Sequence, residues 1–195
     1  DAVLFQGEMA EILIFDHGLS DADREAIETY LAQKWDTDGD GVYFTDDYPF
    51  DATRVVDMPG ALESVSANVT LWLDGTVNKS FDKNGSEEIE TWFDWSGKSN
   101  HAVQATGVNK PTYRVNGING LGSVFFDGAA NTLSSPYSAE LNAGEFTVFV
   151  ISEPGGGSGS ARGVISSRTS GSEAGYSIYA DATDEWNAWE GDGSS

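Results

Sequence analysis

Between residues 67 and 195 the chain carries seven short runs rich in β-branched and aromatic residues, each cut off by Gly, Asn or Pro. They are Val69–Leu73, Thr91–Phe93, Ser123–Phe126, Phe146–Ser152, Gly163–Ser166, Tyr176–Ala180 and Trp186–Trp189. No helical pattern separates them, so the connections that parallel strands need are missing and the segment predicts an antiparallel β-sandwich. The stretch Gly-Gly-Gly-Ser-Gly-Ser at 155–160 reads as a loop within that sandwich, because strands resume too soon on either side for a domain boundary.

Residues 1–35 read differently. Gly7 to Asp16 has an apolar centre, Ile12-Leu13-Ile14-Phe15, which predicts a buried or half-buried strand. A helix follows: Ser20 suits the N-cap, Asp21 and Asp23 suit the positive helix end, and Ala26, Ile27, Tyr30, Leu31, Lys34 and Trp35 recur along one face. One strand and one helix cannot enclose a core, so this segment needs partners from elsewhere.

The connector from Asp36 to about Val65 holds seven aspartates, Asp36, Asp38, Asp40, Asp46, Asp47, Asp51 and Asp57, against a single Arg54. From Asp36 it reads D-T-D-G-D-G-V-Y-F-T-D-D, with carboxylates at positions 1, 3, 5 and 12 and glycine at 6. Calcium takes six to eight hard oxygens at about 2.3–2.6 Å, and alternate residues of a tight turn can aim carboxylates inward. Gly41 permits the bend, and the Val42 carbonyl supplies position 7. The expected calcium ligands are therefore Asp36, Asp38, Asp40, Val42 and Asp47. A solvated acidic linker is the competing reading, but without a cation these aspartates would repel one another and raise some of their own pKa values.

Composition narrows the partners. With 39% apolar and 12% aromatic residues the chain can build a core, while 32 acidic against 10 basic residues leave a formal charge of −22. That charge repels phosphate backbones and anionic lipid, so neither nucleic acid nor membrane insertion is expected. Cysteine is absent, so neither disulfides nor thiolate chemistry is available and cations are the expected crosslinks. Residues 1–15 carry no basic start or small-residue cleavage site, and the chain reads as internal to something longer. A Gly-rich, acidic, cysteine-free composition fits a secreted or cell-surface bacterial protein.

Two resemblances sharpen this reading. The stretch Asp36-Thr-Asp-Gly-Asp-Gly-Val…Asp46-Asp47-Tyr-Pro-Phe-Asp51 resembles a thrombospondin type 3 calcium repeat, which implies calcium at Asp36, Asp38, Asp40, Asp47, Asp46 and Asp51. Tyr48 departs from the usual Phe or Ala, and one repeat alone does not make a rod. Leu71-Trp-Leu-Asp74, Trp92-Phe-Asp-Trp-Ser-Gly-Lys-Ser-Asn-His-Ala102, Pro111-Thr-Tyr113, Asn116-Gly-Ile-Asn-Gly120 and Phe125-Phe-Asp-Gly128 resemble the laminin G-like, or concanavalin A-like lectin, superfamily of bacterial surface proteins. That resemblance implies a jelly-roll. Phe5 to Phe15 with Leu19 to Arg24 resembles the closing strand and terminal helix of the same superfamily. The implied layout is 1–35 as the end of one lectin-like domain, 36–65 as calcium connector, and 66–195 as the incomplete start of a second.

No catalytic constellation stands out. Glu185 and Glu190 fall on opposite faces of a strand, Glu87, Glu88 and Glu90 read as solubilising charge, and His17 and His101 as structural hydrogen-bonders. Trp72, Trp92, Trp95, Trp186 and Trp189 could stack on sugar rings, though each could equally be packing. The expectation is a non-enzymatic, calcium-dependent adhesion or carbohydrate-binding module of a repetitive extracellular protein. The alternatives are a filament subunit joined to neighbouring copies by strand complementation, and an accessory domain of a secreted polysaccharide-degrading enzyme.

Overall fold

A computed structural model describes residues 3–35, 60–155, 162–167, 174–181 and 185–192. It is mainly β, with 41% strand against 23% helix, which agrees with the class expected from the sequence. In order the elements are β1 (Val3–Leu4), β2 (Gln6–Phe15), α1 (Asp21–Trp35), α2 (Gly60–Glu63), β3 (Val69–Asp74), β4 (Phe81–Lys83), β5 (Ile89–Trp92), β6 (Ala102–Val103), β7 (Thr112–Arg114), β8 (Ser123–Asp127), β9 (Thr147–Pro154), β10 (Arg162–Ser166), β11 (Ala174–Ala180) and β12 (Trp186–Asp192).

The curled central sheet is built around β2. Along one edge β2 pairs with β9, from Gly7 opposite Pro154 to Phe15 opposite Thr147. Along the other it pairs first with β8 (Gln6–Met9) and then with β3 (Glu11–Phe15), all antiparallel. The change of partner falls at Ala10, where the β9 register also shifts and the Ala10 carbonyl accepts the Gly75 N–H at 2.8 Å. Gly75 is required there, since a Cβ would lie 2.7 Å from that carbonyl. Strand β7 extends the sheet beyond β8; β4–β5–β6 form a small second sheet, and β1–β10–β11–β12 a third, in which only the β1–β10 pair is parallel.

A bulge reverses the alternation of side chains. Before it, Met9 faces one core with Phe5, Leu71, Leu73, Phe81, Trp92, Val124 and Phe126, joined after it by Ile12 and Ile14. Ala10, Leu13 and Phe15 face the other, with Ile27, Leu31 and Trp35 of α1, Leu62, Val65, Val69 and Trp72. Both faces of β2 are therefore covered, which is why it reads as a nearly unbroken apolar run.

Helix α1 begins where the sequence marks it. Ser20 Oγ accepts the Asp23 N–H at 3.2 Å, an N-cap, and donates its own proton to the Asp23 carboxylate at 2.6 Å. Its buried residues are Ile27, Leu31, Lys34 and Trp35. The sequence layout puts 1–35 in one lectin-like unit and 66–195 in another; here the ladder partners of β2 within the same chain are β3, β8 and β9. The expected calcium ligands Asp36, Asp38, Asp40, Val42, Asp46, Asp47 and Asp51 lie outside the described residues.

Because Leu13 is fully buried between helix and sheet, Leu13→Ala is expected to lower unfolding free energy by about 2–5 kcal/mol. Thermal unfolding followed by circular dichroism and by tryptophan fluorescence should shift together. A fluorescence transition that stays in place would show the two segments to be energetically separate.

Candidate functional site

Under α1 lies a buried polar cluster drawn from three elements. Glu11, at 1% exposure, sits just past the bulge of β2, where the strand turns its side chain toward the helix. Its Oε1 accepts from the Trp72 indole N–H at 2.9 Å and the Tyr30 hydroxyl at 3.2 Å. Its Oε2 accepts from the Trp35 indole N–H at 2.8 Å and lies 2.9 Å from Lys34 Nζ. Lys34 Nζ also donates to Asp74 Oδ2 at 2.6 Å and to the Tyr30 hydroxyl at 3.1 Å. Asp74 Oδ1 in turn accepts the Thr76 N–H at 2.9 Å and the Thr76 hydroxyl at 2.6 Å.

The electrostatics follow from burial. Desolvation pushes Glu11 above its ordinary value even though Lys34 pulls it down. For Lys34 burial acts downward, but the carboxylates of Asp74 and Glu11, helped by Tyr30, outweigh it and hold the ammonium well above the ordinary lysine range. Tyr30 is pushed well up by burial and by Glu11, so its hydroxyl stays protonated and donates.

Other acidic residues are engaged in the local backbone. Asp94 accepts from the backbone N–H groups of Trp72, Ser96 and Asn100 at 2.8–2.9 Å, while its own N–H donates to His101 Nδ1 at 2.9 Å. Asp127 accepts from the N–H groups of Ala129, Ala130 and Asn131, which hold its carboxyl below the usual range. Glu87 pairs with Lys83, Glu90 with Lys110 at 2.8 Å, and Glu8 with Arg114. His17 lies 3.3 Å from Asp16. Among the described residues, no three His, Asp or Glu side chains are grouped to hold a metal ion.

The tryptophans separate into two kinds. Trp72 and Trp92 are 4% and 1% exposed, and their indole N–H groups are spent on Glu11 and on the Asp74 carbonyl. Trp95 donates to Ser80 Oγ at 3.0 Å from a half-buried position. Trp186 is 50% exposed, on β12 at the end of its sheet, and Trp189 is half-buried on the opposite face of that strand. Directly opposite Trp186 is Ala180, and Ala188 is the next residue on its face of β12. On that face the indole neighbours Ala180 across the ladder and Ala188 along its own strand, with Glu190 further along.

The sequence reading missed the Glu11–Lys34–Asp74 cluster. Two signals were present: Glu11 interrupts an apolar run, and Lys34 falls in the apolar stripe of α1. Neither names the partner, which depends on the bulge and on the register of β3. Comparisons of the chain with protein-family models, with curated proteins and with solved structures give no match.

Lys34→Met would leave Glu11 and Asp74 buried without a counter-charge, and is expected to cost about 3–5 kcal/mol of stability. Chemical denaturation of the variant measures it; an unchanged midpoint and slope would mean that water reaches the cluster freely.

Proposed function

We propose that the chain is a binding and adhesion module: a lectin-like jelly-roll of an extracellular protein, stiffened by calcium in its acidic connector, which holds carbohydrate at Trp186 and performs no reaction on it. The observation that supports this reading is the half-exposed indole on β12. A half-exposed indole with alanine as its neighbour across and along the ladder offers a flat apolar face for the C–H side of a sugar, and Glu190, further along the same face, supplies an acceptor for its hydroxyls. Burial withdraws Trp72 and Trp92 from that role. The connector ligands in this reading are Asp36, Asp38, Asp40, the Val42 carbonyl and Asp47, with Asp46 and Asp51 completing the shell.

On a glycan array, Trp186→Ala is expected to lose the signal of the wild-type chain while its melting temperature stays nearly the same, as for other surface substitutions. Equal binding by both chains, or none by the wild type, overturns the sugar site. Calcium is read separately: a ligand bound only by the folded state adds about 2.7 kcal/mol at roughly a hundredfold excess over Kd. Chelator should lower the melting temperature of the wild type and leave Asp38→Ala/Asp40→Ala unaffected.

A second reading is favoured by the ladders of β2. Its described partners all lie in residues 69–154, so the same set is offered by a second copy, and exchange of the first segment between copies would join them into a filament. Light scattering that shows a monomer at every concentration, with calcium present, rules this out.

A further inference from the structure

The cluster beneath α1 holds more than an ion pair requires. A lysine amine and a carboxylate lie in contact in a site that solvent barely reaches: Lys34 Nζ is 2.6 Å from Asp74 Oδ2, and the two side chains are 11% and 12% exposed. That places Asp74 Cγ one C–O bond beyond the atom Lys34 already touches, close to the separation from which attack begins. A second carboxylate, Glu11 Oε2, stands 2.9 Å from the same nitrogen. Asp74 Oδ1 is held by two donors from Thr76, the backbone N–H and the hydroxyl, positioned where negative charge would grow if Cγ were attacked. The indole N–H groups of Trp35 and Trp72 fix Glu11, and the Trp92 indole fixes the Asp74 carbonyl at 3.2 Å.

We propose that Lys34 and Asp74 are joined by an intramolecular isopeptide bond, formed by the folded chain itself with Glu11 carrying the proton. The Lys34 ammonium gives one proton to Glu11 Oε2, and the freed amine attacks Asp74 Cγ. Charge on Oδ1 is met by the two Thr76 donors. The Cγ–Oδ2 bond then breaks, and Oδ2 leaves as water with the proton returned by Glu11 and a second from the attacking nitrogen. One ammonium and one carboxylate become one amide and one water, and Glu11 ends as it began. No oxidant, cofactor or nucleotide is needed.

Two physical factors favour the amide. Groups held in reacting geometry behave as though present at effective concentrations on the order of 10⁵–10⁸ M. A buried neutral amide also escapes the desolvation cost that an ion pair bears in the same place. The competing loss of water at Asp74, cyclisation onto the Gly75 nitrogen, is opposed because that N–H is committed to the Ala10 carbonyl at 2.8 Å. The bond stands apart from the sugar and calcium readings, since none of its atoms belongs to either site.

Intact mass spectrometry of the purified, denatured chain tests it. The wild type is expected to be one water lighter than its sequence mass, with no tryptic cleavage after Lys34 and a branched peptide joining the Lys34 and Asp74 segments. Glu11→Gln and Asp74→Ala should return to full sequence mass. Asp74→Asn should form the same bond with loss of ammonia in place of water, and the branched peptide joining the Lys34 and position-74 segments separates it from a cyclic imide onto Gly75, which loses the same mass without a branch. A wild-type chain with a cooperative melting transition but full sequence mass overturns the proposal. So does a lost water that peptide mapping places anywhere other than Lys34 and Asp74.

Discussion

Glu11 is placed where the strand that organises the sheet meets the helix that covers it, and the seating of α1 depends on how that carboxylate is satisfied. Taking one carboxylate out of water costs several kcal/mol unless every lone pair finds a donor. Here Tyr30, Lys34 and Trp35 come from the helix and Trp72 from β3. Apolar contacts such as Ile27 and Leu31 favour burial of the helix without fixing where along the sheet it lies. Directional donors do fix it, because a slide of one turn would take Tyr30, Lys34 and Trp35 away from Glu11 and Lys34 away from Asp74. The cluster thus converts a general preference for burial into one seating.

The same strand sets the order in which the chain can assemble. Helix α1 follows β2 immediately, but the longest ladder of β2 is to β9, and the first residue beyond the strand's turn, Leu19, donates to Thr147 Oγ1 across 128 positions. Contacts so distant in sequence must repay a large loop-closure entropy before they stabilise anything, which favours slow folding. Until β9 and β3 arrive, the apolar run of β2 is an unpaired strand with two exposed faces. Such an element is open to any complementary edge, its own or a neighbour's.

How much of this was written in the sequence varies with the range of the interaction. The helix was legible to the residue: Ser20 and Asp23 form the cap, and the stripe ending at Lys34 and Trp35 is the buried face, because both signals are local. Strands β3, β5, β8, β9, β10, β11 and β12 overlap runs marked by β-branched and aromatic residues. Strands β4, β6 and β7, of two or three residues each, were missed, since pieces so short are stabilised by their neighbours rather than by propensity. The tryptophans looked alike as candidate sugar platforms. Only packing divides them, sending Trp72 and Trp92 into the cores and leaving Trp186 at an edge. The central cluster was illegible for a related reason: the bulge at Ala10, which decides what Glu11 faces, leaves no mark among alternating apolar residues.

A chain without cysteine has no disulfide to close its long loops, and the position of Lys34 bears directly on this. It lies two residues before the acidic connector begins, and its partner Asp74 lies 40 positions further on, past the connector's end. Any tie between them, ionic or covalent, closes that whole segment into a loop. Closing a loop removes conformational entropy that a calcium ion would otherwise have to remove by itself when it gathers Asp36, Asp38, Asp40 and Asp47. In the calcium reading proposed above, fixing the ends first would raise the affinity of the connector for its ion without changing a single ligand, and ion binding would strengthen the seating of α1 by the same free energy.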